Sequence, residues 1–165
     1  MGTASVPYPG TESVPKVYKI FGPGNQYVMA AKQQVSLEEV AIDMPAGPSE
    51  VCVLADETAN AEFVAADLLS QAEHGADSQV LLITTSEKKL EEIQQEVNKQ
   101  LEALPRKGLA SKSLDNSRYV LVGSTDEMMN LCNLYAPEHL VIQTNNYEQL
   151  AEEVVNAGSV FLGPY

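Results

Sequence analysis

The chain has 165 residues, of which 44% are hydrophobic and 20% are charged, a composition typical of one folded globular domain. Its net charge of -13 would repel nucleic-acid phosphates and anionic lipid headgroups, so we expect neither a nucleic acid nor a membrane as a partner. No apolar run approaches the roughly 20 residues that span a bilayer. Cys52 and Cys132 are too few for a disulfide scaffold, and they favour buried thiols in a reducing cytoplasm.

Strand-like and helix-like segments alternate along the chain after a lead-in rich in proline and glycine. Residues 1–10 show no periodicity, and we interpret them as a disordered lead-in or a cloning remnant before a domain over 11–165. The pattern predicts strands at 17–21, 40–44, 50–55, 79–84, 119–122, 140–143 and 159–162. It predicts helices at 26–35, 60–74, 87–104, 107–114, 126–134 and 147–157.

This order of elements predicts the fold class. Strands that alternate with helices through short connections indicate a Rossmann-like three-layer α/β domain, with a largely parallel sheet and helices on both faces. In such sheets ligands gather at the carboxyl ends of the strands, so we expect a site at that edge. The chain ends directly after the last predicted strand with no closing helix, which suggests a truncation.

Two connections rich in glycine and proline are the first candidate ligand contacts. The segment Phe-Gly-Pro-Gly-Asn at 21–25 joins a strand to a helix, where the backbone can approach an anion and Asn25 could cap the helix or contact a ligand. The segment at 43–50 presents the hydroxyl of Ser49 at its exit. Taken alone, each segment is more often a plain turn or a rigid loop.

The two histidines of the chain each lie in a candidate motif. Gln71 and His74 are three residues apart near the end of a predicted helix, and Asp67 extends the same polar stripe. Such a pair can grip a metal, although glutamine is a poor zinc ligand and a histidine that stabilises the helix end is the commoner explanation. Glu138 and His139 stand at the start of an apolar strand. They could form an acid–base pair if the backbone there is irregular, because neighbours on a regular strand face opposite sides.

Taken together, these motifs resemble the histidinol dehydrogenase family, in the order and spacing of that family. The segments that carry the resemblance are 10–17, 21–28, 41–51, 67–74, 136–140 and 158–163. The resemblance implies a cytoplasmic, zinc-containing homodimer that oxidises L-histidinol to L-histidine in two NAD-dependent steps. It implies zinc ligation by Gln71 and His74, and acid–base catalysis by Glu138 and His139. It also implies substrate contacts by Ser49, Gln71, His74 and His139, and an NAD contact by Asn25.

The sequence also departs from the family pattern. Tyr18 stands where the family has an acidic residue. The resemblance implies two further zinc ligands, an Asp and a His, beyond the last strand, and NAD-contacting segments before residue 10. We therefore expect an incomplete, inactive domain of the dehydrogenase. The alternatives are a stand-alone, non-catalytic α/β binding module and a different α/β oxidoreductase on the same scaffold.

Overall fold

A computed structural model describes residues 15, 17–22, 26–37, 40–43 and 49–164. The chain divides into two compact units, 1–47 and 48–165. The predicted lead-in at 1–10, the candidate NAD contact Asn25 and most of the proline-rich loop before Ser49 lie outside the described residues.

Within its described residues, the first unit has one helix and a short pair of strands. Strand β1 (Lys19–Ile20) pairs in parallel with β2 (Ala41–Ile42), and helix α1 (Gln26–Ser36) lies between them in sequence. Both strands are shorter than predicted, because the N–H of Gly22 donates to Oδ2 of Asp43 at 2.9 Å instead of extending the ladder. The buried Lys32 pairs with Asp43 and donates to the carbonyl of Gly22 at 2.8 Å.

The second unit is a five-stranded parallel sheet flanked by helices. Its strands are β3 (Glu50–Ala55), β4 (Gln79–Thr84), β5 (Arg118–Leu121), β6 (His139–Gln143) and β7 (Ser159–Leu162). Its helices are α2 (Ala61–Ala72), α3 (Glu87–Ala103), α4 (Lys107–Asp115), α5 (Thr125–Tyr135) and α6 (Tyr147–Glu152). The strands lie in the order β5-β4-β3-β6-β7, and every pair is parallel.

Two apolar cores lie on opposite faces of this sheet, so the predicted three-layer α/β class is confirmed. One core packs β3, β4 and β6 against α2, α3 and α4. The other packs the alternate side chains of the same strands against α5 and α6. Both cysteines belong to the second core, where Cys52 of β3 and Cys132 of α5 are fully buried free thiols.

Side-chain caps fix where the main helices begin. Asn60, Ser86 and Ser124 each accept a hydrogen bond from a backbone N–H of the first turn, which satisfies one of the donors that a helix start leaves unpaired. Among the helices of the described part of the chain, none is both long and apolar enough to cross a bilayer.

Helix α6 ends five residues earlier than predicted. The side chain of Asn133 accepts hydrogen bonds from the N–H groups of Val155 and Asn156, and it donates to the carbonyl of Glu153. These bonds replace the intrahelical ones that residues 153–157 would make, so the segment leaves the helix.

Candidate active site

The largest group of candidate residues lines one pocket on the α2 face of the sheet. The pocket has a volume of about 490 Å³ and lies over the amino ends of β3, β6 and β7. Its lining residues are Ser49, Val51, Asp67, Ser70, Gln71, His74, His139, Val141 and Phe161. Because a helix that follows a parallel strand runs back along it, the last turn of α2 lies at this same edge. The fold therefore brings Gln71 and His74 to Ser49 and His139.

The carboxyl edge of the sheet, where the fold rule places ligands, holds none of these residues. The strand order reverses between β3 and β6, and the crevice at that point is bridged by the carboxylate of Asp56. Asp56 accepts hydrogen bonds from the N–H and hydroxyl of Thr58, at 2.8 and 2.5 Å, and from the N–H of Asn145 at 2.8 Å. A smaller pocket of about 300 Å³ at 145–149 contains no predicted site residue. The candidate residues therefore lie away from the edge at which parallel sheets usually bind ligands.

Glu138 and His139 converge on the first residue of β3. Oε2 of Glu138 accepts from the hydroxyl of Ser49 at 3.1 Å and from the N–H of Glu50 at 3.3 Å. Nδ1 of His139 lies 3.2 Å from the carbonyl oxygen of Glu50 and 3.8 Å from Oε2 of Glu138. The imidazole also stacks on Phe161, with 6.2 Å between ring centroids. Burial, followed by the charge of Glu138, raises the pKa of the Glu50 carboxyl.

An irregular backbone makes this convergence possible, as the sequence required. Ala136 ends α5 in the left-handed region at a φ of 54°, and Pro137 follows it. Gly158 then lies against the segment, since its N–H donates to the carbonyl of Pro137 at 3.0 Å. A Cβ at Gly158 would come within 2.6 Å of the carbonyl oxygen of Glu138. Glu138 therefore turns toward β3 before His139 enters the regular strand.

The amide of Gln71 is buried at the pocket and is not satisfied. Gln71 is 7% exposed, and its Nε2 has no hydrogen-bond partner among the described residues. His74 is exposed one turn further along, beyond the end of α2. A buried amide without a partner is costly, so this one is suited to an outside group.

The described residues do not make a complete zinc site. Gln71 and His74 supply two potential ligands, whereas zinc in proteins takes four, of which three or four come from side chains. No cluster of three or more His, Cys, Asp or Glu residues able to hold a metal occurs in the part of the chain that the structure describes. Any zinc bound here needs ligands from outside that part.

Sequence reasoning placed Asp67 on the polar stripe of α2 but gave it no role. In the structure it lines the pocket and accepts a hydrogen bond at 2.9 Å from Nε2 of Gln143, a buried side chain of β6. The spacing of four residues between Asp67 and Gln71 already predicted a shared face. The partner in β6, 76 residues away in sequence, could not be read from that spacing.

A family model described as histidinol dehydrogenase matches residues 3–165. The chain belongs to the histidinol dehydrogenase family. Among its relatives, histidinol dehydrogenase from Bacteroides thetaiotaomicron is 70% identical over 93% of this chain and 36% of the relative. The enzyme from Campylobacter jejuni strain RM1221 is 58% identical over 94% of this chain and 37% of the relative. The chain thus spans about a third of the length of these histidinol dehydrogenases.

Solved structures agree with the fold. The crystal structure of histidinol dehydrogenase from Elizabethkingia anophelis superposes with a TM-score of 0.90 at 57% identity, covering 94% of this chain and 36% of that one. A gamma-glutamyl phosphate reductase from Thermotoga maritima superposes with a TM-score of 0.55 at 14% identity, covering 88% of this chain and 41% of that one. The second match shows a shared fold alone.

Proposed function

We propose that this chain provides the acid–base edge of a histidinol dehydrogenase, which oxidises L-histidinol to L-histidine in two NAD-linked steps. The observation that carries the proposal is the convergence of Glu138 and His139 on Glu50, beside a pocket that also holds Ser49 and Gln71. Membership of the family, together with this geometry, supports the reaction. The substrate contacts are Ser49, Gln71, His74 and His139.

His139 is the general base for the alcohol proton. Its Nδ1 faces the carbonyl of Glu50, which can only accept, so in the neutral imidazole the proton resides on Nδ1. Nε2 then carries the lone pair and can take a proton from a substrate hydroxyl in the pocket. The imidazole of His139 stacks on the ring of Phe161, which restricts the rotation of the imidazole.

Glu138 activates water for the second oxidation. Its carboxylate is fixed by Ser49 and the backbone of Glu50, and it stands 3.8 Å from the imidazole of His139. The aldehyde-level intermediate must add water before a second hydride can leave. A carboxylate held beside the base can orient that water and accept its proton.

The cofactors belong to the whole enzyme. When bound, NAD would supply the hydride acceptor, and Asn25 is the residue of this chain proposed to contact it. Gln71 and His74 would hold zinc with ligands from outside the described residues, and the metal would supply Lewis-acid positioning without redox chemistry. We propose that the full-length protein is a cytoplasmic homodimer, as the resemblance implies.

A chimera tests the proposal more sharply than the chain alone. In it, this chain replaces the matching third of the Elizabethkingia anophelis enzyme, and NADH formation from L-histidinol is measured with zinc and NAD present. We expect turnover by the chimera and by the parent enzyme, and none by the isolated chain. A folded but inactive chimera would contradict the proposal, and turnover by the isolated chain would refute the incomplete zinc site.

Two substitutions in the chimera assign the roles. His139→Asn and Glu138→Gln are each expected to lower kcat by about 10²- to 10⁴-fold, the range for losing a general acid or base. Glu152→Gln removes an exposed carboxylate outside the pocket and serves as the control with unchanged turnover. If either active-site variant behaves like the control, that role is wrong.

A further inference from the structure

We infer that the pocket has an anionic subsite, in which Asp67 accepts a hydrogen bond from a nitrogen donor of the ligand. The inference rests on the proposed function, because it identifies which part of the substrate this wall of the pocket recognises. The ligand chemistry is an N–H donor, neutral or positively charged. In L-histidinol that donor is either the amine or the imidazole, and analogues that lack one of the two groups distinguish them.

One oxygen of the Asp67 carboxylate accepts a hydrogen bond from a described residue, and the other accepts none. Gln143 donates a hydrogen bond to Oδ2 of Asp67. Because Gln143 lies in β6 and is 2% exposed, this hydrogen bond fixes the position of Oδ2. No described residue donates to Oδ1. A carboxylate has acceptor capacity on both oxygens, so the second remains available to a molecule in the pocket.

No lysine or arginine among the lining residues offers Asp67 a cationic partner. The other ionisable members of the lining are His74 and His139. Burial raises the pKa of Asp67, with the hydrogen bond from Gln143 acting in the opposite direction. A ligand N–H at Oδ1 would compensate this loss of solvation, which makes a nitrogen donor a better occupant than water or an anion.

A buried donor beside Asp67 needs an acceptor on the same ligand, which the hydroxyl of L-histidinol can supply. Gln71 lies one helical turn beyond Asp67 and faces the same pocket, and its Nε2 has no acceptor in the part of the chain that the structure describes. Apolar walls from Val51, Val141 and Phe161 enclose the space between these polar groups and His139. Such a pocket can take a small molecule that has an apolar body and polar ends.

The test measures binding to the 165-residue chain without turnover. Amide and imidazole signals of Gln71, His74 and His139 are followed by NMR while three probes are added at millimolar concentration. The probes are L-histidinol, the amine-free 3-(imidazol-4-yl)propan-1-ol and the imidazole-free L-alaninol. Asp67→Asn keeps the shape and an acceptor for Gln143 but removes the charge. Glu73→Gln removes a charge from the same end of the helix outside the pocket lining.

We expect Asp67→Asn to weaken L-histidinol binding about tenfold, the contribution of one charge-assisted hydrogen bond, and Glu73→Gln to leave binding unchanged. The probe that lacks the recognised nitrogen should bind wild type and Asp67→Asn equally, which identifies the donor. The inference is overturned if Asp67→Asn binds L-histidinol as wild type does, if both analogues lose affinity equally, or if no probe perturbs the pocket. Failure of the chimera to turn over would refute the proposed function but not selective binding here.

Discussion

The two edges of the parallel sheet differ in what their carboxylates hold and in whether a pocket lies beside them. At the carboxyl edge, Asp56 is fully occupied by the loops that follow β3 and β6, and it closes the crevice where the strand order reverses. At the amino edge, Glu138 and His139 are positioned by the backbone, while Nε2 of Gln71 has no partner among the described residues.

This difference shows which polar groups are structural and which are available. A buried group whose hydrogen bonds are complete contributes to stability, and its loss exposes unpaired partners. A group left incomplete reduces stability slightly unless a ligand completes it. Unmet bonds alone do not mark the candidate site, because Oε1 of Gln143 and Oγ1 of Thr144, at the carboxyl end of β6, also lack a partner among the described residues. The pocket beside Gln71 distinguishes it.

The largest effect is expected at the closed carboxyl edge. Asp56→Ala removes the acceptor for two backbone N–H groups and one hydroxyl, so we expect a loss of about 3 kcal/mol in the free energy of unfolding. Chemical denaturation of the chain measures it, and probe binding at the amino edge should be unchanged. Glu57→Ala, at the exposed neighbour, is the matched control. A cost below about 1 kcal/mol would mean that the edge is not held by this carboxylate.

The backbone at the amino edge is the next place to test. Gly158→Ala places a Cβ within 2.6 Å of the carbonyl of Glu138, so the segment that holds Glu138 must move. We expect a loss of about 2 kcal/mol in stability, as for other overpacked sites, together with loss of turnover in the chimera. Gly108→Ala, whose Cβ would meet nothing within 4 Å, should be neutral or stabilising. Equal melting of the two variants would contradict the close contact.

The smallest expected effect is a pH dependence of the free energy of unfolding that arises from Asp67. Burial raises the pKa of Asp67, so the folded chain favours the protonated acid and stability falls as pH rises through that raised pKa. Asp67→Asn removes this dependence. We expect it to stabilise the chain by less than about 1 kcal/mol at pH 7, and by less still at pH 4. Guanidinium denaturation at both values measures it, and a larger gain at pH 4 would reverse the sign.

Much of the fold could be predicted because its signals are local. The buried runs of β3 and β4 and the strand β7 have the predicted bounds, and a serine cap marks the start of α3. The errors came from long-range contacts. Asn133 ends α6 from 20 or more residues away, and the Asp43 carboxylate interrupts the small ladder of the first unit. No local pattern contains those partners.

The residues proposed for the site could be selected from the sequence, but the place where the fold brings them together could not. Glycine, proline and histidine motifs identified Ser49, Gln71, His74, Glu138 and His139, and all but Glu138 line the pocket. Glu138 does not line the pocket, but it accepts a hydrogen bond from Ser49, which does. The general rule for parallel sheets indicates the carboxyl edge. That rule takes no account of a carboxylate such as Asp56, whose hydrogen bonds bridge the crevice at the point where the strand order reverses. The role proposed for Asp67 depends on Gln143, at the end of β6, which no local pattern links to it.

The two buried thiols allow the opening of the second unit to be measured by chemical labelling. Cys52 lies in the central strand and Cys132 in the helix packed against it, and both are fully buried. A thiol reagent can reach them only when α5 lifts from the sheet or the whole unit unfolds. Because either motion exposes both thiols, comparison with the rate of global unfolding distinguishes them: labelling at that rate indicates one cooperative opening, whereas faster labelling indicates that α5 detaches by itself.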